Sequence, residues 1–179
     1  MIELILGGAR SGKSQLAEQR ALASNKAVVY VATAQNLDGE MAKRIDHHQR
    51  RRPPHWTTLE QPIALAQSLK QVDAKDTLIL IDCLTLWVSN LLCLEEGHHF
   101  ALEKQALLDL LPQMQSDVIM VSNETGLGVV PMGELSRRFV DESGWLHQAL
   151  AALADQVTLV VAGLPLQLKP TQLIPTQNT

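Results

Sequence analysis

The chain has 179 residues, of which 46% are hydrophobic and 19% charged, and its 15 lysines and arginines face 19 aspartates and glutamates. This apolar content is enough for a packed core and argues against a disordered chain. The formal net charge of -4 disfavours a sequence-independent nucleic-acid binder, which needs a basic surface. No apolar run reaches the roughly 18 residues of a membrane span, and the N-terminus lacks a signal-peptide pattern, so we expect a cytoplasmic protein.

Short apolar runs alternate with longer amphipathic segments along the chain. Strands are predicted at about 2–6, 27–32, 77–82, 118–122 and 157–162, and helices at about 13–23, 39–49 (with Asp38 as N-cap), from Pro62 onward, 84–94, 100–111 and 133–154. This alternation predicts an α/β fold, an open and mostly parallel sheet flanked by helices. We expect one domain over 1–169 and an irregular tail over 170–179, and the proline-containing stretch from Pro165 is itself predicted to be irregular.

The chain has two cysteines, Cys83 and Cys93, and both lie inside apolar stretches. We expect two buried thiols in a reducing compartment, in preference to a disulfide or a metal site.

A phosphate-binding motif lies between the first predicted strand and the first predicted helix. It fits G-x-x-x-x-G-K-[ST] and comprises Gly7, Gly8, Ala9, Arg10, Ser11, Gly12, Lys13 and Ser14. Its glycines allow backbone N–H groups to surround phosphates, and the helix N-terminus adds positive potential. We expect Lys13 to reach the β- and γ-phosphates and the Ser14 hydroxyl to bind Mg²⁺. The strand-to-helix context favours a P-loop over a chance match in a tight turn.

Asp82 ends the predicted strand 77–82, where a P-loop protein holds Mg²⁺ directly or through water. A helix cap for the segment that starts near Leu84 is a compatible alternative. The motif and the carboxylate together predict a protein that binds a nucleoside triphosphate with Mg²⁺. A regulatory GTPase is disfavoured, because the chain has no guanine-reading N-K-x-D sequence and its nearest match reads N-E-T-G at 123–126.

The predicted helix 39–49 and the residues after it are rich in cations. Five of the 15 basic residues fall within ten positions, namely Lys43, Arg44, Arg50, Arg51 and Arg52. A solvated helix end would also explain them, because cations complement the C-terminal end of the helix dipole.

Two histidines lie within this basic segment, and helical spacing separates them. Met41, Ile45 and His48 share the apolar face, whereas His47 falls on the more exposed side. Arg44 precedes His48 by four residues and favours a neutral imidazole, which beside phosphate-binding arginines is a competent nucleophile toward phosphorus. A histidine on an apolar face is by itself more often a core residue, so the neighbouring arginines carry this hypothesis.

Several segments, taken in order, resemble one known family. They are the P-loop, E-M-A-K-R-I-D-H-H at 40–48 leading to R-P at 52–53, W-x-T-x-E at 56–60, D-C-L-T-L-W-V-S-N at 82–90, V-S-N-E at 121–124 and A-G-L-P at 162–165. Together they are similar to the bifunctional adenosylcobinamide kinase/adenosylcobinamide-phosphate guanylyltransferase of cobalamin biosynthesis, over residues 2–169. The P-loop alone is unspecific, but the arginine–histidine segment joined to D-C-L-T-L-W is highly specific.

The resemblance implies a RecA-like P-loop fold, a homotrimer and two reactions. In the first reaction a nucleoside triphosphate phosphorylates the aminopropanol hydroxyl of adenosylcobinamide. In the second, GTP transfers GMP to a histidine with loss of pyrophosphate, and the cobinamide phosphate takes up the GMP to give adenosylcobinamide-GDP. ATP and GTP are then substrates, and Mg²⁺ is the implied cofactor.

The resemblance also implies roles for individual residues. Its R-I-x-x-H pattern selects His48 as the nucleophile, in agreement with the helical-face argument. The nucleotide site would be lined by Thr33, Ala34 and Gln35. The phosphate and base of the guanylyl group would be held by Gln49, Arg50, Arg51 and Arg52. The guanine nucleotide and metal contacts would be completed by Glu60 and Asp82. Two departures stand out. A Gly-x-Leu-Asn segment common in the family reads G-W-L-H at 144–147, so His147 is expected to alter helix packing or a subunit contact, and Thr125 replaces a usual valine with little consequence.

Other conspicuous residues receive plainer interpretations. His98 and His99 are expected to be solvent-exposed rather than a metal pair, since adjacent histidines point apart on a helix. The tryptophans at 56, 87 and 145 are expected to be core or interface anchors. Asn123 and Glu124 follow a buried strand, where a ligand-facing role and a turn-stabilising role are equally compatible with the sequence.

Two other functions remain open from the residues alone. One is a P-loop small-molecule kinase in which His48 is structural, which would form no covalent GMP adduct. The other is a non-catalytic nucleotide-dependent binding module, which would not turn over any corrinoid. The placement of His48 beside the arginines at 50–52 argues against both, because neither function needs it.

Overall fold

The computed structural model describes residues 1–35 and 52–170. Seven strands are found there, β1 (Ile2–Gly7), β2 (Ala27–Ala32), β3 (Thr57–Glu60), β4 (Thr77–Asp82), β5 (Asp117–Asn123), β6 (Gln156–Val161) and β7 (Leu164–Lys169). The helices of the same part are α1 (Lys13–Ala23), α2 (Leu65–Val72), α3 (Leu84–Cys93), α4 (Phe100–Leu110) and α5 (Glu134–Leu153), with short 3₁₀ turns at Leu94–Gly97 and Leu111–Gln113.

The strands form one sheet in the order β3-β2-β4-β5-β1-β6-β7. All neighbours are parallel except β6 and β7, which pair antiparallel as a hairpin at one edge. Strand β5 lies between β1, which leads into the P-loop, and β4, which ends at Asp82. The carboxyl ends of these three strands therefore meet at one edge of the sheet, where α/β proteins bind ligands.

Helices cover the sheet on both faces, which explains the near-continuous apolar character of its central strands. Alternate residues of each strand enter two separate cores. On one face, residues such as Leu4, Ile79 and Met120 pack against α2, α3, α4 and α5, with Trp87 fully buried among them. On the other face, strand residues such as Ile5 and Leu80 pack against α1 together with Tyr30 and Trp56. The open, mostly parallel α/β fold predicted from the sequence is confirmed.

Element bounds agree closely with the sequence predictions, with one correction at Pro62. The helix predicted to open at this proline begins at Leu65, and Pro62 lies before its first turn. The Gln61 side-chain oxygen accepts hydrogen bonds from the backbone N–H groups of Ile63 and Ala64, at 3.1 and 2.9 Å, and so fixes the segment that leads into the helix. The predicted helix 39–49 and its cap Asp38 lie outside the described residues.

Two edge strands contradict or extend the sequence predictions. The stretch from Pro165, expected to be irregular, forms most of β7 as far as Lys169. Proline is tolerated there because β7 is an edge strand, whose outer face needs no ladder donor. Strand β3 was not predicted, since its four residues are polar or partly exposed and carry no apolar run.

The cysteine prediction holds in part. Neither Cys83 nor Cys93 is in a disulfide, but Cys93 is exposed at the end of α3 rather than buried, and Cys83 is half-buried. In the described part of the chain, no helix has the length and apolarity needed to cross a membrane.

Candidate nucleotide-binding site

The P-loop connects β1 to α1, and close packing dictates its glycines. A Cβ atom at Gly7 would lie 2.5 Å from Ser11 Oγ and 2.6 Å from the Val160 carbonyl oxygen, too close for any side chain. Gly12 has φ +97°, in the left-handed region that glycine adopts without penalty. The loop therefore turns sharply from the strand into the helix, with the first N–H groups of α1 left uncapped by any side chain. Such an N-terminus is suited to an anion.

Lys13 begins α1 and is drawn into this loop. Only 8% of its surface is exposed, and its Nζ donates a hydrogen bond to the Gly8 carbonyl at 3.0 Å. Burial lowers the pKa of Lys13, while the nearby Cys83 and Asp82 act in the opposite direction. A buried ammonium with one protein acceptor has two further donors for a phosphate oxygen. Ser14 follows in the first turn of the helix, half-buried.

The β6–β7 hairpin supports the P-loop from the side. The Gly163 N–H donates to the Ser11 carbonyl at 2.8 Å, and a Cβ at Gly12 would lie 3.3 Å from Gly163 Cα. Both turn residues, Ala162 and Gly163, have positive φ. The A-G-L-P segment of the sequence is thus a backbone brace for the phosphate-binding loop.

Asp82 lies at the carboxyl end of β4, as predicted, and Tyr30 from the neighbouring strand holds it. The Tyr30 hydroxyl donates to Asp82 Oδ2 at 3.0 Å. Burial raises the pKa of Tyr30, and the Asp82 charge raises it further. The alternative of a helix cap is not what forms, because the N-cap of α3 is Cys83 and no side chain caps it.

The oxygen donors near the loop fit Mg²⁺ rather than a softer metal. The Asp82 carboxylate and the Ser14 hydroxyl are hard ligands, and Mg²⁺ is commonly bound by one or two such groups together with substrate phosphates. In the part of the chain that the structure describes, which contains His98 and His99, no three or more histidine, cysteine, aspartate or glutamate side chains are grouped so that they could hold a metal ion.

The end of β2 is tied to the end of β4. Thr33 is fully buried, where its Oγ1 donates to the Cys83 carbonyl at 2.6 Å and accepts from the Cys83 N–H at 2.9 Å. The Asn90 side chain donates to the Thr33 carbonyl at 2.8 Å. Ala34 and Gln35 follow, both half-buried. Thr33 thus fixes the backbone beside Asp82.

Of the arginine-rich segment, the structure describes the last member, Arg52. The Arg52 guanidinium lies 3.5 Å from the centre of the Tyr30 ring, whose hydroxyl contacts Asp82. A cleft of about 400 Å³ brings Arg52 together with Glu60, the other predicted guanine-nucleotide residue, and its remaining walls are Pro53, Pro54, Trp56 and Thr58. His48, Gln49, Arg50 and Arg51 lie outside the described residues.

A polar network that the sequence analysis did not assemble lies beside the P-loop. The His147 Nε2 is 2.7 Å from Ser122 Oγ, which is 3.3 Å from Thr85 Oγ1. The His147 Nδ1 lies 3.7 Å from Glu124 Oε2. Burial lowers the pKa of His147, and the Glu124 carboxylate partly offsets this. His147 therefore belongs to the packing of α5 against β5, the first of the two roles expected for it.

Asn123 and Glu124 end β5 within this network. The Asn123 N–H donates to Thr85 Oγ1 at 2.6 Å, and its side-chain Oδ1 is buried with no hydrogen-bond partner among the residues described. Glu124 Oε1 accepts from the Gly126 N–H at 2.6 Å, so the turn-stabilising role expected for this residue is present. The three tryptophans differ in burial, since Trp56 and Trp87 are buried and Trp145 is exposed.

The sequence is similar to known proteins along nearly its whole length. A bifunctional adenosylcobalamin biosynthesis protein, CobP of Pseudomonas aeruginosa, is 57% identical over 169 residues, which cover 94% of this chain and 98% of that protein. The bifunctional adenosylcobalamin biosynthesis proteins CobU of Escherichia coli and Salmonella typhimurium are 38% and 40% identical, and each alignment covers 94% of this chain and all of the relative.

Two solved structures have a similar course of the chain. They are the RadB recombinase, with a TM-score of 0.49 and 18% identity over 88% of this chain and 73% of that one, and a KaiC-like protein from Pyrococcus horikoshii, with a TM-score of 0.48 and 17% identity over 88% and 69%. The CobU family, described as cobinamide kinase / cobinamide phosphate guanyltransferase, matches residues 3–168. The chain belongs to this family, as its motifs predicted.

Proposed function

We propose that this protein phosphorylates the aminopropanol hydroxyl of adenosylcobinamide with a nucleoside triphosphate and then transfers GMP from GTP to the resulting phosphate. The products of the second step are adenosylcobinamide-GDP and pyrophosphate, and GMP passes through a covalent bond to His48. Membership of the cobinamide kinase / cobinamide phosphate guanyltransferase family is the observation that carries this proposal.

The P-loop supports the phosphoryl-transfer half. The Lys13 ammonium lies at the Gly8 carbonyl of the loop, and the N–H groups at the start of α1 have no side-chain cap, so both would be available to the β- and γ-phosphates. Positioning and charge neutralisation supply most of the rate in phosphoryl transfer, since little other chemistry is needed. Ser14 and Asp82 would hold Mg²⁺ here, and the ion when bound neutralises charge on the phosphate oxygens.

The cleft beside Tyr30 supports the guanylyl-transfer half. It combines the cation of Arg52 with the carboxylate of Glu60, a pair suited to a phosphate and to the N–H groups of a guanine. A histidine nucleophile divides the nucleotidyl transfer into two in-line steps. In the first step, an imidazole nitrogen of His48 forms a bond to the α-phosphorus of GTP, and the bond from that phosphorus to the pyrophosphate oxygen breaks. In the second, the cobinamide phosphate oxygen attacks and frees the imidazole. Arg50, Arg51 and Arg52 would stabilise the charge in both steps.

The covalent intermediate provides the direct test. The purified protein is incubated with Mg²⁺ and GTP labelled at the α-phosphate, and the protein is examined for acid-labile, alkali-stable label. We expect label on the intact protein and on His47→Ala, and none on His48→Ala. His47→Ala is the matched control, because it removes the adjacent imidazole of the same segment.

Two outcomes would change the proposal. Label lost only with His47→Ala would keep the activity and refute the assignment of the nucleophile. An intact protein that binds GTP and acquires no label would refute guanylyl transfer and favour a P-loop kinase. The homotrimer implied by the resemblance is tested separately, by light scattering coupled to size-exclusion chromatography.

A further inference from the structure

Glu124 lies at the junction between the P-loop and a second cleft. Its backbone N–H donates to the Gly7 carbonyl at 3.1 Å, and the preceding residue, Asn123, pairs in register with Gly7. The strand that ends here, β5, lies between the P-loop strand and the strand that ends at Asp82. Glu124 therefore follows the one strand that separates the P-loop strand from the strand that ends at Asp82.

The second cleft, of about 360 Å³, lies between α3 and α5. Its walls are mainly apolar and include Leu92, Pro131 and Phe139, with Ser89 and Thr125 as polar members. Thr125 directly follows Glu124, so this wall of the cleft is one residue along the chain from the carboxylate. The Glu124 backbone is also hydrogen-bonded to Gly7, so Glu124 links this wall of the cleft to the P-loop. In an in-line transfer, an acceptor alcohol approaches the γ-phosphate from the side opposite the leaving nucleotide.

Two groups lie next to this carboxylate, the His147 ring and the Gly126 N–H. A neutral imidazole carries one proton, and placing it on Nδ1 avoids turning a ring lone pair toward Glu124. Nε2 then accepts from the Ser122 hydroxyl at 2.7 Å. The second carboxylate oxygen is held by the Gly126 N–H. The Glu124 side chain remains 23% exposed, so it is positioned without being closed off.

We propose that Glu124 is the proton acceptor of the phosphoryl-transfer step, that the acceptor alcohol reaches it from the cleft between α3 and α5, and that His147 is the positioning residue for the carboxylate. The acceptor oxygen forms a bond to the γ-phosphorus, and the bond from that phosphorus to the bridging oxygen breaks. The hydroxyl proton passes to Glu124, the electron pair leaves with the nucleoside diphosphate, and Glu124 later releases the proton to water. This inference rests on the proposed kinase activity.

Neighbouring groups are less suited to this role. Asp82 accepts the Tyr30 hydroxyl and is the residue proposed to hold the metal ion. His147 is 7% exposed, and its two ring nitrogens face Ser122 and Glu124, so the ring has no free nitrogen for an acceptor.

Steady-state kinase assays on Glu124→Gln test the catalytic role. Loss of a general base costs about 10²- to 10⁴-fold, so we expect kcat to fall at least 100-fold with the KM values for nucleotide and cobinamide changed less than threefold. Formate should restore part of the activity of Glu124→Ala, because a small carboxylate can occupy the space left by the side chain. Glu134→Gln is the matched control, because Glu134 is an exposed residue of α5 and this substitution makes the same chemical change at a nearby position.

The outcomes separate this inference from the proposed function. A wild-type protein that phosphorylates cobinamide, together with a Glu124→Gln variant that retains more than a third of its kcat, would refute the role of Glu124. A wild-type protein with no kinase activity would refute the proposed function itself. Covalent labelling by GTP should survive in Glu124→Gln, which shows that the variant is folded and still carries its other half-reaction.

The role of His147 and the position of the acceptor have their own readouts. His147→Leu should lower kcat about tenfold without raising the KM for nucleotide, and His147→Asn, the residue common in the family, should restore most of the loss. Cobinamide should slow maleimide labelling of Cys93, an exposed thiol that lines the cleft. Burial raises the pKa of Cys83 to about 11, so that thiol contributes little signal. Unchanged labelling at saturating cobinamide would refute this location for the acceptor.

Discussion

Replacement of Asp73 by alanine should destabilise the fold by about 2 kcal/mol at pH 7. Asp73 is the C-cap residue that follows α2, and its Oδ1 accepts from Ser116 Oγ at 2.6 Å, from the Ser116 N–H at 2.9 Å and from the Gln115 N–H at 3.1 Å. Ser116 is 2% exposed, so its N–H and hydroxyl groups depend mainly on the carboxylate for a hydrogen-bond partner. Leaving such donors unsatisfied costs about 1–3 kcal/mol, and a value near 2 kcal/mol is a roughly 30-fold change in the folding equilibrium.

Urea denaturation followed by circular dichroism measures this effect. With an m value of about 2 kcal/mol/M, the midpoint should fall by about 1 M. Asp141→Ala is a suitable control, because Asp141 is an exposed helix residue, and its midpoint should stay within about 0.25 M of the wild-type value.

The pH dependence gives a second check with a definite sign. Burial alone would raise the pKa of Asp73, but the hydrogen bonds from Ser116 and Gln115 outweigh it, and the pKa lies below the usual value of 3.8. A depressed folded-state pKa gives stability that is complete above the unfolded value and is lost as the pH falls through the folded one. The difference between wild type and Asp73→Ala should be constant from pH 8 to 5 and shrink below about pH 4. A difference under 0.5 kcal/mol at pH 7, or one that grows on acidification, would refute the reasoning.

Three further substitutions probe the site and its support. Lys13→Met should weaken nucleotide binding about 100-fold by calorimetry, because a charge-assisted hydrogen bond to phosphate contributes about 1.5–3 kcal/mol, and an unchanged Kd would contradict the P-loop geometry. Tyr30→Phe removes the donor to Asp82 and should lower the free energy of unfolding by about 1.5 kcal/mol in urea while raising the Mg²⁺ concentration needed for half-maximal activity; a shift in neither quantity would show that Tyr30 does not hold this carboxylate. Trp87→Phe removes buried volume and the indole N–H bond to the Ile63 carbonyl at 2.7 Å, so its thermal midpoint should fall by about 5 °C, whereas an unchanged midpoint would mean that the core closes around the smaller ring.

Most of the fold could be predicted because its central strands are continuous apolar runs that are recognisable in the sequence. The strands at 27–32 and 77–82 are continuous apolar runs buried on both faces, and their bounds match the structure residue for residue. The edge strands are different, because hydrogen bonding to one neighbour defines β3, and no local pattern encodes that neighbour. In β7 leucines alternate with other residues, but Pro165 and the polar residues farther along the chain favour an irregular segment, and only pairing with β6 decides the outcome.

The site divides in a similar way. The P-loop and the place of Asp82 at a strand end follow from local motifs, whereas Tyr30 and His147 come from distant segments. Tyr30 reads as a core residue of its strand, and nothing in the sequence marks its hydroxyl as the partner of Asp82. For His147, the departure from the family pattern was a signal, but its contact with Ser122 depends on how α5 packs on β5. The roles assigned to His48 and to the arginines at 50 and 51 stay predictions.

The β6–β7 hairpin beside the P-loop affects when the loop can form in the newly made protein. The loop is encoded at residues 7–14, but Gly163, which lies against it, is translated only after strands β1 to β6. Strand β1 also pairs with β6 on one side, so a nascent chain that stops before the hairpin lacks both the brace and a neighbour of the strand that carries the loop. A nucleoside triphosphate would then bind fully only once the hairpin has been translated, and its binding would stabilise the contact between the P-loop and the β6–β7 hairpin.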